Sequence, residues 1–392
     1  MTKVVAVDFF CGAGGMTRGL IEAGIHVLAG VDNEPVCEKT YRQNRNANRS
    51  RPRFLCKNVF PKSKLHPDGQ QGEIVEELRS LLREFRKQHG HTKLFFTICA
   101  PCQPFTKITQ IEMSDHRKFK RDNDANLLLT TANLIKKFRP DGIICENVEG
   151  IVGDDETSVI ARFKRVLKRN GYEFDAKVVK MAAFGVPQYR SRTIGIAINK
   201  RKYKRLTVEI PDRDSDAPQK VTVESIIGHL PPLAAGEKHL SIPNHRARAL
   251  SDLNLKRISC AKPGENNRYL KDTPYGDLSL DCHRRLEEKW GEPSFSDTYT
   301  RMRGDDLAPT ITTHCISITN GRFGHYDVSQ NRGITPREAA LLQTFPEDYI
   351  FYHEDNISLA ATLIGNAVPP RLAQFYGSYL TKTIARRSRK AR

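Results

Sequence analysis

Several features that define large classes of proteins are missing from this sequence. No apolar run among its 392 residues approaches the roughly 20 residues that a bilayer-spanning helix needs. There is no signal peptide, and the nine cysteines are odd in number and irregularly spaced, unlike the framework of a disulfide-rich secreted domain. No internal repeat or low-complexity segment is present either. These absences exclude a membrane-spanning protein and predict a soluble, intracellular protein with free thiols.

Acidic residues are also in short supply. The chain has 45 Asp and Glu against 63 Lys and Arg, a formal net charge of +18. Part of the excess lies in the C-terminal tail, but it also gathers in three internal clusters: residues 42–53, 117–121 and 201–205. So large an imbalance indicates a polyanionic partner, most simply nucleic acid.

One cysteine has an unusual setting. The apolar run Leu94–Ile98 predicts a buried strand, and the segment Ala100–Thr106 (APCQPFT) follows it at once. Pro101 and Pro104 fix backbone angles and remove amide donors, so they predict a stiff turn at the carboxyl end of a strand, where open α/β sheets place their chemistry. We therefore expect this turn to present Cys102.

Three other interpretations of Cys102 remain open on these residues alone. With Cys99 it forms a C-x-x-C pair, which occurs in zinc sites and in thioredoxin-like redox pairs. Zinc would need a second ligand pair, and no other C-x-x-C is present, so no metal is predicted. A redox pair normally opens a helix, whereas Gln103-Pro104 follows here. The third alternative is an inert, buried thiol.

The chain opens with a nucleotide-binding pattern. A predicted strand, Lys3–Phe10, runs into the glycine turn Cys11–Gly15, and helical periodicity follows over Met16–Ala23. The glycines allow the backbone to approach a ligand closely, and a helix N-terminus offers free amides. Because Thr17 stands where the dinucleotide pattern requires a third glycine, a nicotinamide or flavin cofactor is not favoured.

A second predicted strand, His26–Val31, ends in Asp32-Asn-Glu34, where an acidic side chain can accept hydrogen bonds from ribose hydroxyls. Strands and helices then alternate to about residue 200. The further predicted strands are Arg53–Val59, Asp141–Cys145, Tyr172–Met181 and Thr193–Ile198, and the predicted helices are Glu73–Gln88, Ala125–Phe138 and Val159–Lys168. Between two of them, the polar segment 107–123 is predicted to close over the polyanion, with disorder as the alternative.

Alternation disappears over about residues 200–330, which predicts a second, smaller domain. A helix within Arg332–Phe345 follows, with Thr335 as its N-cap, Pro336 at its first position and Glu338 at its third. Residues 363–370 then end in a turn before a final helix, Arg371–Ala385, which we expect to pack on the first domain.

Two further groups of polar residues are candidates for a site. Glu146 follows the predicted strand Asp141–Cys145 and would lie beside the ligand crevice; a capping or surface glutamate is the alternative. In the extended segment that follows Pro187, alternate residues face one way, so Gln188, Arg190 and Arg192 are predicted to converge on an anionic or base-like ligand. A solvated surface strand is the alternative there.

Jointly, these motifs resemble the cytosine-5 DNA methyltransferases, especially the stand-alone prokaryotic modification enzymes of restriction-modification systems. The resemblance covers nearly all of the chain outside about residues 204–296, and the motifs come in the family's order. It implies an α/β fold with a Rossmann-like methyltransferase sheet, DNA (cytosine-5)-methyltransferase activity and S-adenosylmethionine as cofactor.

The resemblance also implies roles for residues. Cys102 would add to carbon 6 of a flipped-out cytosine, Arg192 would help the thiol to ionise, and Glu146, kept protonated by desolvation, would donate to ring nitrogen 3. Arg190 belongs to the same arginine motif. The implied cofactor residues are Asp8, Phe10, Gly12, Gly14, Gly15, Glu34, Asn58, Pro101, Asn366 and Val368. The family usually has an aspartate at the position of Asn58, whose amide oxygen can still accept from the adenine amino group.

The expected organisation is a catalytic and cofactor-binding domain over residues 1–203, a target-recognition domain over 204–330 and a framework helix with a returning segment over 331–392. The resemblance places the target reader mostly ahead of Arg332, with Ala308–Thr313 as its recurrent piece. It implies a monomer in the prokaryotic cytoplasm, associated with the nucleoid, that acts on double-stranded DNA, with a cognate restriction endonuclease sharing its site without being bound and with no membrane partner.

Three rival functions stay open at this point. A tRNA cytosine methyltransferase uses a similar cysteine turn, but its branch usually carries a Cys-Phe-Thr tripeptide that is absent here. A catalytically dead DNA-binding protein would not be expected to keep Cys102, Glu146 and Arg192 together. A thiol oxidoreductase would depend on Cys99, whereas a methyltransferase would not.

Overall fold

The computed structural model describes residues 3–101, 127–151, 158–211, 221–290 and 295–385. It divides into two compact units. The first unit comprises Met1–Lys180, Ser191–Ser215 and Val368–Arg392, and the second comprises Met181–Arg190 and Asp216–Ala367. This division differs from the predicted one: residues 181–190 and the predicted framework helix belong to the second unit, and the chain returns to the first only at Val368.

The first unit is built on a seven-stranded sheet, and the α/β class predicted from the sequence is confirmed. The strands of the molecule in chain order are β1 Val4–Phe9, β2 His26–Asp32, β3 Arg53–Cys56, β4 Lys93–Ile98, β5 Gly142–Asn147, β6 Tyr172–Lys180, β7 Gln188–Tyr189, β8 Ser191–Asn199 and β9 Ala308–Pro309. The sheet order is β3-β2-β1-β4-β5-β8-β6. The first five strands of that order pair in parallel, and β8 is antiparallel to both of its neighbours.

The helices belong to both units. They are α1 Gly15–Glu22, α2 Glu38–Tyr41, α3 Gln71–His89, α4 Ala132–Phe138, α5 Val159–Arg169, α6 Val223–Ile227, α7 Asp252–Cys260, α8 Asp281–Trp290, α9 Pro336–Leu342, α10 Ile357–Asn366 and α11 Pro370–Ala385. Short 3-10 turns occur at Pro35–Cys37, Glu149–Ile151, Met181–Phe184 and Asn267–Lys271. Within the described ranges, every helix is too short or too polar to cross a membrane.

The core of the first unit lies on the sheet. Strand β1 is buried along nearly its whole length, as parallel strands covered on both faces must be. The predicted apolar face of α3 packs into this core through Ile74, Leu78, Leu82 and Phe85. Burying each such side chain contributes about 1.5–3 kcal/mol, so hydrophobic burial fixes the sheet and thereby the positions of its strand ends.

The final helix packs on the first unit, as expected. A side chain at Gly19 of α1 would place its Cβ only 2.1 Å from the Pro370 carbonyl oxygen, so glycine is what lets α1 and α11 approach. Further along α11, Leu380 lies against Gly142 at the start of β5. The last segment of the chain thus closes over its first helix.

Some predicted bounds are wrong for identifiable reasons. Strand β5 continues past Cys145 because β8 pairs with it, Glu146 opposite Ile194 and Asn147 opposite Thr193. Glu146 therefore lies within the strand rather than after it. Strand β3 ends at Cys56, not at Val59. Helix α10 is not among the predicted helices, because its sequence is mostly apolar and shows no clear amphipathic face.

The second unit has few regular elements, as expected for residues 216–330. Its best-defined feature is the start of α9, where the Thr335 side chain accepts from the Glu338 main-chain nitrogen (3.2 Å) and the Glu338 carboxylate accepts from that of Thr335 (2.7 Å). The predicted cap is confirmed, but the helix ends at Leu342.

Candidate active site

The glycine turn after β1 is tied to the end of β2. The main-chain nitrogens of Phe10 and Cys11 both donate to the Val31 carbonyl oxygen (2.7 and 3.2 Å). Phe10 has a positive φ of 60°, and Gly12 has one of 49°, a region that costs a bulky residue about 1–3 kcal/mol. A Cβ on Gly12 would meet no atom of the described residues within 4 Å. The turn is thus held in a demanding conformation in front of open space, which suits a ligand lying against its backbone.

Two acids at the end of β2 have different functions. The Asp32 carboxylate accepts from the main-chain nitrogens of Gly12 (2.8 Å) and Glu34 (3.0 Å). Burial raises the pKa of Asp32, although these hydrogen bonds oppose the effect. Glu34 is exposed. Asp32 therefore orders the turn, while Glu34 is open to solvent and its role toward a ribose stays a prediction.

Asp8 points into the unit. It is fully buried and accepts from the hydroxyls of Thr17 (2.7 Å) and Thr97 (2.8 Å). Burial raises the pKa of Asp8 to about 7, despite these hydrogen bonds. The carboxylate thus joins β1 to α1 and β4, and its implied contact with a cofactor stays a prediction.

Asn58 lies two residues beyond β3 and is half-buried. Its main-chain nitrogen donates to the Gln70 side chain (3.2 Å). Its side-chain oxygen accepts from the Phe60 nitrogen (3.0 Å), and its side-chain nitrogen donates to Asp68 (2.8 Å). The amide is therefore fixed by its own loop.

The turn that carries the predicted nucleophile is described up to Pro101, which is exposed; Cys102 lies outside the described residues. The Asn147 side chain donates to the Ala100 carbonyl oxygen (3.1 Å), which joins the end of β5 to this turn. Burial raises the pKa of the neighbouring Cys99 thiol well above its usual range, so Cys99 is a poor source of thiolate.

Glu146 and Arg192 form an ion pair across β5 and β8. Arg192 Nε lies 3.2 Å from Glu146 Oε1, and the two side chains are only 17% and 10% exposed. Arg192 Nη1 also donates to the Ser191 carbonyl oxygen (2.8 Å). The expected desolvation of Glu146 requires purely apolar surroundings. Glu146 does not have them, because the Arg192 guanidinium contacts one of its oxygens.

The other two residues of the arginine motif lie in the second unit. Gln188 is fully buried; it donates to the Leu342 carbonyl (2.7 Å) and accepts from the Ile311 nitrogen (3.0 Å). Arg190 donates to the Ile311 carbonyl (2.9 Å). Gln188 and Arg190 thus both contact Ile311, whereas Arg192 pairs with Glu146, and the expected convergence of all three on a ligand stays a prediction. The bonds of Gln188 also serve the fold.

The last predicted cofactor residues fall in different units. Asn366 is exposed at the end of α10 in the second unit, whereas Val368 is buried in the first. The Gln343 side chain donates to the carbonyls of Ile364 (2.9 Å) and Ala367 (3.3 Å), which fixes the backbone on either side of Asn366. Their roles toward a cofactor stay predictions.

Sequence reasoning missed two residues that organise the site. Asn147 anchors the cysteine turn, and its only signal is its place next to Glu146. Thr97 holds Asp8 from the neighbouring strand, a contact that no local pattern announces. Within the described ranges, no group of three or more His, Cys, Asp or Glu side chains is arranged to hold a metal ion.

The fold defines an α/β protein with a seven-stranded sheet, and several of the predicted site residues lie at the carboxyl edge of that sheet. The chain belongs to the C-5 cytosine-specific DNA methylase family, whose model matches residues 4–382. The family and the activity expected from the sequence, DNA (cytosine-5)-methyltransferase, are thereby confirmed. Members of this family use S-adenosylmethionine in general.

Similar proteins span the same length. The Type II methylase M.HgiDII of Herpetosiphon aurantiacus is 35% identical over 382 residues, 97% of this chain and 94% of that protein. The Type II methyltransferase M1.HphI of Haemophilus parahaemolyticus is 30% identical over 94% of this chain and 84% of its own length. A crystal structure of a candidate DNA modification methyltransferase from an E. coli prophage superposes with a TM-score of 0.67 at 18% identity, covering 98% of this chain and 100% of that one.

Proposed function

We propose that this protein methylates carbon 5 of a cytosine flipped out of duplex DNA, through a covalent adduct with Cys102, and so protects host DNA in a restriction-modification system. The observation that carries this proposal is the Glu146–Arg192 pair (3.2 Å), joined through Asn147 and Ala100 (3.1 Å) to the turn that leads to Cys102. The similarity to Type II methyltransferases supports the protective role.

The proposed chemistry explains the residue types. Carbon 5 of cytosine is a weak nucleophile until a thiolate adds to carbon 6 and makes the ring an enamine. The Cys102 sulfur forms that bond and leaves again when the carbon 5 proton is lost and the ring double bond returns. Negative charge that develops toward nitrogen 3 needs a donor, and a proton on Glu146 Oε2 can supply it while Arg192 holds Oε1.

The residues at the sheet edge fit S-adenosylmethionine. The open turn at Gly12, the Phe10 ring and the exposed Glu34 carboxylate would hold its methionine, adenine and ribose portions, with Asn58, Asn366 and Val368 as further contacts. When bound, this cofactor supplies an electrophilic methyl group on a sulfonium. The chain's own contribution is to hold it at the carboxyl ends of β1, β2 and β3, one strand from the cysteine turn.

A base that is stacked inside the duplex is out of reach of this chemistry, so the target cytosine must first leave the stack, as it does in DNA methyltransferases in general. The basic clusters would bind phosphates without reading sequence. The second unit would read base edges, with the segment near Ala308 as part of that reader. A monomer acting in the prokaryotic cytoplasm, without a bound endonuclease, suffices for this role.

The decisive experiment traps the adduct. Duplex DNA with 5-fluorocytosine at the target position, identified by bisulfite sequencing of DNA from a methylation-free expression host, should form a denaturation-resistant complex with the protein in the presence of cofactor. Cys102→Ala should form none and should lose methylation while it still binds DNA. Cys282→Ser, which removes an exposed thiol of α8, is the matched control. Adduct formation by Cys102→Ala would exclude the assigned nucleophile.

A further inference from the structure

We propose that Asp68 is a specificity residue for the base of the bound cofactor: together with Asn58, it forms a composite acceptor for an exocyclic amino group. This inference rests on the proposed function, since it assumes that S-adenosylmethionine binds at the sheet edge. Asp68 lies ten residues beyond Asn58 in the loop between β3 and α3, and nothing in the sequence pattern marks it as part of a site.

The position of Asn58 follows from the sheet. The last residue of β3, Cys56, is paired with Asp32 of β2, and the Lys57 nitrogen donates to the Asp32 carbonyl (2.8 Å). Asn58 therefore leaves the carboxyl edge one strand away from the turn that carries Glu34. A nucleoside whose ribose binds Glu34 can extend its base across this neighbouring strand end.

The hydrogen bonds of Asn58 fix which way its amide faces. Its nitrogen donates to Asp68 Oδ2 (2.8 Å), and its oxygen accepts from the Phe60 nitrogen (3.0 Å). A carboxylate can only accept and a main-chain N–H can only donate, so the two partners distinguish the amide oxygen from the nitrogen. A flipped amide would lose the Phe60 bond and set its oxygen against the Asp68 carboxylate.

The loop that carries Asp68 is held together by contacts of its own. The Ser63 and Gly69 nitrogens donate to the His66 carbonyl (3.0 and 3.1 Å), and the His66 ring stacks on Phe60 with centroids 3.8 Å apart. A Cβ on Gly69 would lie 2.6 Å from the Phe60 carbonyl oxygen, so the end of this loop packs closely against the beginning of the same loop. Within the described part of the chain, no donor reaches Asp68 Oδ1.

A base that binds beside Asn58 and Asp68 would therefore meet hydrogen-bond acceptors rather than donors. The Asn58 oxygen has one lone pair beyond its bond to Phe60, and the exposed Asp68 carboxylate, which accepts from the Asn58 nitrogen through Oδ2, keeps Oδ1 as a second acceptor with a negative charge. Adenine presents an amino group at position 6, which donates, whereas hypoxanthine presents a carbonyl there, which a carboxylate repels. An amide alone accommodates either group by rotation; the Phe60 N–H opposes that rotation, and the Asp68 carboxylate adds a repulsion against the rotated amide oxygen. Asp68 therefore restores the selectivity of an aspartate to a site whose strand-end residue is an asparagine.

The test compares two ligands that differ only at position 6 of the base. Binding of S-adenosylhomocysteine and S-inosylhomocysteine to the full-length protein is measured by isothermal titration calorimetry. The wild type should prefer the adenosyl ligand, and Asp68→Ala and Asp68→Asn should each reduce that preference about tenfold. The double variant Asn58→Asp/Asp68→Ala, which returns a carboxylate to position 58, should regain it. Glu84→Ala, which removes an exposed charge from α3, is the control and should leave the preference unchanged.

The outcomes separate this inference from the proposed function. A wild type that does not bind S-adenosylhomocysteine would overturn both. A wild type that binds it selectively, with the same selectivity in both Asp68 variants, would overturn only the role of Asp68. Equal losses of affinity for the two ligands would also overturn it, because they would mean that Asp68 merely supports the loop. If the Asp68 variants lose selectivity and the double variant fails to recover it, a composite acceptor is excluded.

Discussion

The two units each contain a buried pair between a glutamate and an arginine, and the pairs differ in how completely they are satisfied. In the first unit, Arg192 contacts one oxygen of Glu146 at 3.2 Å, and among the described residues nothing donates to the second oxygen. In the second unit, Arg332 donates to both oxygens of Glu338 (2.7 and 2.9 Å), and Thr335 donates as well (2.7 Å).

This difference distinguishes a pair that is available to a ligand from a pair that stabilises the fold. A buried polar network stabilises a fold when every member is satisfied, and the Glu338 pair meets that condition at the start of α9. The Glu146 pair leaves the second Glu146 oxygen without a donor among the described residues, so that oxygen is available to a ligand at the edge of the sheet. The second unit follows the same rule elsewhere: Arg301 donates to five main-chain carbonyls and to the Asn331 side chain.

The largest expected effect is on activity, in the first unit. Glu146→Gln should slow methyl transfer by about 10²–10⁴-fold, because an amide can donate a hydrogen bond to ring nitrogen 3 but is too weak an acid to transfer a proton to it. The free energy of unfolding should fall by only about 1 kcal/mol, since Arg192 keeps its bond to Ser191. Single-turnover methylation and urea unfolding of the same protein measure the two quantities. A variant with near wild-type turnover would mean that the unsatisfied oxygen has no chemical role.

The largest expected effect on stability is in the second unit. Arg301→Met should cost more than about 4 kcal/mol, because several buried carbonyls lose their donor at once. Hydrogen exchange should accelerate in α7 and over residues 323–333, whereas β1 and β4 keep their protection. Arg303→Met is the matched control: Arg303 is exposed and paired with Asp305, and its loss should change stability by less than about 0.5 kcal/mol. Similar results for the two variants would refute the scaffold role of Arg301.

Glu338→Gln should destabilise the protein by about 3–5 kcal/mol at neutral pH, because it leaves the buried Arg332 unpaired. Burial by itself raises the pKa of Glu338, but hydrogen bonds from His325 and Arg332 and the charge of Arg332 outweigh it, so the pKa is lowered from the usual 4.5. A group whose pKa is lower in the folded state than in the unfolded state stabilises the fold at pH values above its unfolded pKa. This stabilisation is lost as the pH falls from the unfolded pKa through the folded pKa. Urea unfolding at several pH values should therefore show wild type and variant approaching each other below about pH 4.5. A constant difference down to pH 2 would contradict this assignment.

The smallest effects concern packing in the first unit. Gly19→Ala should destabilise by about 1–3 kcal/mol, because the new Cβ would lie 2.1 Å from the Pro370 carbonyl oxygen. Gly72→Ala in α3 is the matched control, since its Cβ would meet no atom within 4 Å, and it should stabilise by about 0.5–1 kcal/mol through helix propensity. Thermal unfolding of both variants measures the difference. Equal effects would mean that α11 does not pack tightly on α1.

The comparison also shows where the sequence was informative. In the first unit, apolar runs and helical periodicity predicted most strands and helices, and the acids Glu34 and Glu146 were proposed as site residues because each comes after a predicted strand. The errors lay at strand ends. Strand β5 extends through Glu146 because β8 pairs with it, and a strand's length depends on a partner that is distant in the sequence.

For the second unit, local sequence patterns predicted much less of the structure. Local patterns found the cap formed by Thr335 and Glu338, because capping involves residues three positions apart. They gave no sign that Arg301 and Arg332 are buried, because an arginine enters a core only when distant carbonyls and carboxylates surround it. The charge excess, read as a polyanion-binding feature, therefore includes arginines that serve the fold.

The sequence by itself determined the α/β class, the family motifs in their order and the chemical kinds of residue at the strand ends, because hydrophobic periodicity and glycine turns act over a few residues. Tertiary structure alone decided which oxygen of Glu146 stays available, that Asn147 anchors the cysteine turn and that Asp68 meets Asn58. Each of these depends on contacts that form only when separate strands and loops come together, and local patterns do not encode those distances.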